Sequence, residues 1–571
     1  MSRAVSLLSL SPLVLMAALA PMSLAHAQVA SAAPATVPGA AELSRDLPGQ
    51  PSMPALPTLA PLEAGGSTEA APAVSFVLRD FKVRGNTTLT PYQLANVAEP
   101  YLGKTLNDQG LGRLVGALKQ RYLDQGLALV SVGFPSQDVS KGVLTIEVVE
   151  PKLARIQVPM GADAPITEQR VLGLLSFFDL KAGSVLNTGS LERVMFALND
   201  TPGVQAKASL SPAGDEGVYN LSIQVQPRRW WDASIAEDNQ GVSYAGRWRT
   251  TGLARLNNPL GIGDNLDLQL LRSNTGGVSV GRLAYELPVF YTPARLSMAF
   301  ARVSYGLAGS FSDLEANGTA RVAEANLTYP LIRSRSRTLM VRVGAESKNL
   351  TDRLDAYELR GDKRVLAGVA ALNYESRDNV WGGGFNGASV QLNWGHLRFK
   401  TLADRQYDAS FGEYNTAGRF EKVALQYSRL QAVAPRVSLY ASASQQLASR
   451  NLDAAEKMSL GGPRGVRAYP TAEGASDEAL LVTSELRYWI NRNWTVFALY
   501  DWAKGDRQRE VLPADVERNK ILLRGAGLGV VASYPEWVTL KATVAWRGKR
   551  RAETESSNDK PRLYLQAQHT F

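Results

Sequence analysis

Val538-Thr539-Leu540-Lys541-Ala542-Thr543-Val544-Ala545-Trp546-Arg547 decides the fold. Successive side chains of an extended chain point to opposite faces. Val538, Leu540, Ala542, Val544 and Trp546 therefore share one face, and Thr539, Lys541, Thr543 and Arg547 the other. The same period of two recurs at Leu266, Leu268 and Leu270 against Asp267 and Gln269, and at Val390, Leu392 and Trp394 against Gln391 and Asn393. From Trp230 to Phe571 helical periodicity vanishes. Short Gly/Asn/Asp turns alternate with longer polar loops, and Trp and Tyr gather near strand ends. One apolar and one polar face over many strands predicts a transmembrane β-barrel. Such a sheet must close, because lipid offers no hydrogen bonds to unpaired backbone. Leu563 to Phe571 reads as the closing strand, with the aromatic Phe571 as its terminal signal.

Upstream of this region the pattern changes. Arg3, the apolar run Leu7 to Ala20 and Ala25-His26-Ala27 predict a signal peptide over 1–27. Residues 28–73 are rich in Ala and Pro with few large apolar side chains, so they read as a linker. Within it only Ala40 to Leu47 could form two helical turns, too few to be stable alone. Two units of similar length and element order follow, over 74–151 and 152–228. Each reads β-α-α-β-β. In the first, Phe81 and Val83 alternate with polar residues before the Arg84-Gly85-Asn86 turn. Thr90-Pro91-Tyr92-Gln93 is a capping-box start. A helix bearing Leu111, Leu114, Val115, Leu118 and Tyr122 stops at Gly126, and strands are expected over Leu127–Phe134 and Val143–Val149. In the second, a helix is expected after Thr167, another across Leu191, Val194, Met195 and Leu198, and strands over Val204–Leu210 and Val218–Val225.

The composition narrows function. The 571-residue chain has no Cys, which excludes thiolate metal sites and Cys nucleophiles. Its net charge is +9, but Lys and Arg are scattered through the strand region rather than set in a basic stripe with aromatics. Nucleic-acid binding is therefore not expected. After the leader the only histidines are His396 and His569, and neither has the setting of a hydrolase base. His396 reads as a structural or lumen-facing residue. No zinc, phosphate-loop or cofactor signature occurs, so no enzyme and no cofactor is expected.

One stretch breaks the alternation: Leu460-Gly461-Gly462-Pro463-Arg464-Gly465-Val466-Arg467-Ala468-Tyr469-Pro470. Gly permits φ > 0 and Pro fixes φ, so this is a shaped loop that presents Arg467 between Val466 and Tyr469. Parity in Thr495 to Trp502 puts Val496, Ala498, Tyr500 and Trp502 on a lipid face, which leaves Asp501 inward. A lumenal carboxylate needs a partner, and an Arg suits such a site because its planar fork can bind a carboxylate bidentately.

In its order of elements the chain resembles the two-partner secretion transporters (the TpsB family), which export haemolysins and filamentous adhesins and belong to the outer-membrane barrel-assembly superfamily. Phe81-Lys82-Val83-Arg84-Gly85-Asn86-Thr87 is similar to the opening of that family's first polypeptide-transport-associated (POTRA) domain, with Val83, Arg84, Gly85 and Asn86 as its motif. Glu237 to Gly241 and Asn258 to Asp264 resemble its first barrel hairpin. The loop around 459–472 resembles the family's lumen-inserted loop, whose tip reads Val-Arg-Gly-Tyr. Here it is Val466-Arg467-Ala468-Tyr469, and Ala468 would be strained if that position needs φ > 0.

The resemblance implies about sixteen antiparallel strands over 229–571, behind two periplasmic α/β POTRA domains, in the outer membrane of a Gram-negative bacterium. It implies export of a large unfolded partner polypeptide (TpsA-like, adhesin or haemolysin type) docked by the POTRA domains. It also implies contact with outer-membrane lipid, and with the barrel-assembly machinery during biogenesis. The alternative is an assembly or insertion factor of the same superfamily. An Arg467–Asp501 lock on the loop is likewise implied.

Overall fold

The computed structural model describes residues 75–571 except 411–414, 512–515, 536 and 555–560. The expected signal peptide, linker and 40–47 helix lie outside the described residues. The first unit contains β1 (Phe76–Val77), β2 (Asp80–Arg84), α1 (Pro91–Ala98), β3 (Thr105–Leu106), α2 (Asp108–Asp124), β4 (Ser131–Gly133) and β5 (Val143–Val149). β5 is central, with β2 parallel on one side and β4 antiparallel on the other. Helix α1 starts where its chemistry allows. Thr90 caps it, Pro91 occupies the first turn, and the Gln93 side chain reaches back to complete the capping box. Leu114, Leu118 and Tyr122 of α2 pack onto Leu144, Ile146 and Val148 of β5.

The expected strand over Leu127–Phe134 is shorter than its apolar residues suggest. The α2 cap claims its first part: Leu127 N–H bonds the Tyr122 carbonyl at 2.9 Å, and Leu127 and Val130 are buried as turn residues. The short β1–β3 pair was not foreseen in the sequence.

The Val83-Arg84-Gly85-Asn86 motif makes a turn against β5. Gly85 sits at φ 80, and a Cβ there would lie 2.1 Å from the Val148 carbonyl oxygen. Asn86 Oδ1 accepts from the Tyr122 hydroxyl at 2.6 Å and from Leu89 N–H at 2.8 Å. Gly85→Ala is expected to destabilise this unit by about 2–5 kcal/mol, from the left-handed backbone and the overlap together. A drop in the urea midpoint with unchanged slope would register it; an unchanged midpoint would contradict it.

The second unit contains β6 (Lys152–Gln157), α3 (Glu168–Phe177), α4 (Thr188–Asn199), β7 (Val204–Pro212) and β8 (Val218–Pro227), with sheet order β6-β8-β7. Thr167 caps α3 and Asn187 caps α4. Its core of Leu153, Val171, Leu174, Val194, Leu198, Leu221 and Ile223 is separate from that of the first unit. The two units meet where α2 ends and α4 begins, with Thr188 N–H and Oγ1–H both donating to the Gly126 carbonyl.

Among the described residues, sixteen antiparallel strands close into a barrel, from β9 (Trp231–Asp238) to β24 (Arg562–Thr570). Parity holds as expected. Leu268, Leu270, Leu392, Trp394, Tyr500, Leu540 and Trp546 face outward and are exposed, whereas Gln269, Gln391, Asn393, Asp501 and Thr543 are buried inside. His396 corrects one expectation: it alternates with Leu397 on the outward side, with Leu392 and Trp394, not in the lumen. Strand length varies widely. β15 (Arg337–Leu354) and β16 (Leu359–Asp378) share eighteen register pairs, whereas β24 and β9 close the barrel with five, Gln566↔Asp238 to Thr570↔Ser234. At about 3.3 Å per residue the longest strands exceed what a bilayer requires and extend past it on the far side. Phe571 continues the seam: its N–H donates to the Ala233 carbonyl at 3.0 Å, and its ring meets His569 edge-on at 4.5 Å.

The second unit is fastened to three turns on the near rim. Arg333, just before the 334–336 turn, binds Asp200 with two hydrogen bonds of 2.8 Å and lies over the Phe196 ring, and Arg335 pairs with Glu192 at 2.8 Å. Asn258 donates to the Pro165 carbonyl, and Arg170 to the Phe290 carbonyl. Burial and the neighbouring Arg295 push the Arg170 guanidinium down to about 10.

Candidate functional site

The chain from Ser449 to Asp477 joins β19 (Val437–Ala448) to β20 (Glu478–Trp489) and folds back into the barrel. Its tip is made by the glycines and prolines that mark it in the sequence. Val466 N–H bonds the Leu460 carbonyl at 2.7 Å, and Gly462 N–H bonds the Tyr469 carbonyl at 3.1 Å. The two limbs press together so closely that a Cβ on Gly461 or Gly465 would fall 2.3 Å from a carbonyl oxygen of the facing limb. Ala468 is not at positive φ; the left-handed positions in the loop are Gly462, Ala472 and Gly474. The Ala468 methyl is buried and lies where Gly525 of the wall leaves room for it. Alanine therefore fits the tip without the strain that a left-handed site would impose.

Apolar packing seats the tip. Leu460, Val466, Ala468 and Tyr469 lie against Ala479, Leu481, Ala503, Ile521, Leu523 and Ala545. The small wall residues let a loop backbone approach. Tyr469 O–H donates to the Arg550 carbonyl at 3.1 Å, and the Tyr469 carbonyl accepts from Tyr564 of β24 at 3.0 Å. The Glu473 carboxylate accepts from Thr554 N–H and Oγ1–H at 2.9 and 2.7 Å.

Arg467 carries the polar lock. Its Nε and Nη2 bond the two oxygens of Asp501 at 2.9 and 2.8 Å, and its backbone N–H adds a third bond at 3.0 Å. Asp501 stands on β21 (Trp494–Asp506) and is fully buried. Nη1 of Arg467 reaches Glu485 of β20, whose other oxygen accepts from Arg487 at 2.8 Å. The structure thus brings Arg467 and Asp501 together. Val466 and Tyr469 serve as apolar and aromatic flanks, while Val83, Arg84, Gly85, Asn86 and Phe571 lie apart, in the first unit and at the barrel seam. Sequence reasoning missed Glu485. Its signal was the alternation Glu485-Leu486-Arg487-Tyr488, in which outward Leu486 and Tyr488 leave Glu485 and Arg487 facing in.

Beneath the tip is a cavity of about 650 Å³, bordered by Arg464 and Arg467 above and by Asp232, Arg255, Gln269 and Gln568 on the wall. It is a polar lumen rather than a packed core. Among the described residues no cluster of His, Cys, Asp or Glu suits a metal ion. The arrangement holds a loop across the lumen.

The family model for haemolysin secretion/activation proteins ShlB/FhaC/HecB matches residues 217–530, and a ShlB-type POTRA model matches residues 76–151. The chain is 24% identical over 506 residues to the heme/hemopexin transporter protein HuxB of Haemophilus influenzae, covering 87% of this chain and 88% of that protein. It is 24% identical over 453 residues to the outer membrane transporter CdiB of Escherichia coli, covering 78% and 74%. The solved structure of CdiB from Escherichia coli overlays with a TM-score of 0.70 at 21% identity, over 90% of this chain and 93% of that one. CdiB from Acinetobacter baumannii gives 0.65 at 16% identity, over 88% and 91%.

Proposed function

The chain belongs to the ShlB/FhaC/HecB family of haemolysin secretion/activation proteins, and from that premise we propose how it works as an outer-membrane two-partner secretion transporter. The barrel spans the outer membrane, with its POTRA region in the periplasm. A large partner polypeptide of adhesin or haemolysin type is its cargo, docked in extended form on the two α/β units (74–151 and 152–228). The outer strands β2 and β4 of the first sheet suit main-chain pairing with such a segment, whereas β6 already pairs with residues 183–185 and Ala206 of β7 with Asn199. The observation that carries the reading is a loop seated by side chains in the lumen: a passage crossed by a loop rather than filled by a core. The Arg467–Asp501–Glu485 cluster keeps that loop in register, and no catalysis is involved. Lipid meets the outward aliphatic and aromatic residues, and the barrel-assembly machinery inserts the barrel through the seam strand that ends at Phe571.

The test compares a strain carrying this gene with one lacking it. Full-length protein should fractionate with the outer membrane and shift its gel mobility on heating, as closed barrels do. The deletion strain should lose one large polypeptide from the medium and keep its other outer-membrane barrels. Loss of many barrels with an unchanged medium would favour an assembly factor instead. Recovery of the protein from the soluble periplasm would remove both readings.

A further inference from the structure

The inserted loop has a second seat, distant in sequence from its tip. In the turn Asp453-Ala454-Ala455-Glu456, Asp453 accepts from Lys363 of β16 at 2.6 Å. Glu456 accepts from Lys348 of β15 and from Lys422 of β18 (Gly418–Ala434), each at 2.7 Å. Lys422 Nζ also donates to the Glu456 carbonyl at 3.1 Å, as does Gln446 Nε2. All five charged side chains are at least nine-tenths buried. Between the two acids, Ala455 packs into an apolar cluster with Val242, Tyr244, Leu350 and Leu354.

Burying charge is expensive, and a buried ion pair gains little over apolar packing of the same volume. Five buried charges converging on a four-residue turn therefore serve position more than stability. Arginine at the tip holds strands β20 and β21, whereas these lysines belong to β15, β16 and β18. The loop is braced between two sectors of the wall. Releasing one seat leaves the other.

We propose that Asp453 and Glu456 are positioning residues that hold the shoulder of the inserted loop on the Lys348–Lys363–Lys422 sector independently of the Arg467 tip lock. This deepens the export reading, because it gives the obstruction a second hold on the wall, apart from its tip. Opening the passage then requires both seats to release or the loop to bend between them.

The chain has no Cys, so a single reporter is unambiguous. Ala455→Cys places a thiol in the apolar cluster, and whole cells are treated with a membrane-impermeant maleimide. The reporter alone should be protected. With Asp453→Asn and Glu456→Gln added, labelling should accelerate by about tenfold or more, as a local opening becomes easier. With Arg467→Ala added instead, labelling should stay within about twofold of the parent, because distant seats act additively. Asp453→Lys should expose the reporter, and Lys363→Asp in the same chain should restore protection. Heat-shifted mobility checks that each barrel is folded, and if the neutralised variant does not fold, the charge exchange carries the test. Protection that survives neutralisation, exposure by Arg467→Ala alone, or an exchange that labels like Asp453→Lys would each overturn the proposal. Labelling needs no cargo, so these outcomes do not depend on whether export is the function.

Discussion

Arg467→Ala is expected to impair export strongly, though to a level still measurable, while the barrel remains inserted and heat-modifiable. Arg467 is buried between two carboxylates, Asp501 and Glu485. Its removal leaves both acids in a site where, among the described residues, Arg487 of β20 is the cation still paired with one of them, Glu485. Breaking a buried pair by deleting one partner costs about 3–5 kcal/mol. That is enough to loosen a tip whose other holds are four apolar and small side chains and the hydrogen bonds of Tyr469 and Glu473. Asp501→Ala should be milder, because Arg467 keeps Glu485. Glu485→Ala should be milder still, because the three hydrogen bonds to Asp501 persist. Arg467→Lys should fall between wild type and alanine: the charge stays, but one ammonium cannot reproduce the bidentate fork. Secretion titres of the two alanine variants and their double mutant form a cycle. The losses should be strongly non-additive, since either single change abolishes the same contact. Additive losses, or wild-type export from Arg467→Ala, would mean that this pair does not position the loop.

Deleting Phe76 to Pro151 is expected to abolish export with the remaining chain still folded. The first unit has its own core, built on Leu114, Leu118, Tyr122, Leu144 and Ile146, and meets the second along a narrow junction of residues 125–129 against 185–188. Its removal uncovers the start of α4 and the small apolar contacts that Leu129 and Val185 make across the junction, and leaves the core of the second unit whole. The second unit keeps Asp200, Glu192 and Arg170, the groups that fasten it to the barrel rim. A normal heat shift combined with an empty medium would separate docking from folding. Cargo in the medium at the normal level would show that the second unit docks it alone.

Period-two alternation from Trp230 onward, paired with helix caps at Thr90 and Thr167, was enough to specify a barrel behind two α/β units. Those features are local: a strand's faces and a helix's first turn are set by neighbours within a few residues. Parity in 495–502 even placed Asp501 inside. What stayed hidden depended on closure. Glu485 joins Arg467 only because β20 pairs β21 across the loop's landing place. Asp453 and Glu456 meet three lysines 34 to 108 residues away because the barrel wall brings β15, β16 and β18 to one side. The sequence presents those residues as scattered charges in polar loops and strands. The Arg333 and Arg335 grip on the second unit was equally silent, since nothing near a rim turn indicates which acid will come to rest against it. Side-chain direction is written in the chain's own alternation, whereas partnership between charges is settled by which strands the closed sheet makes neighbours and by how deeply the loop lies among them.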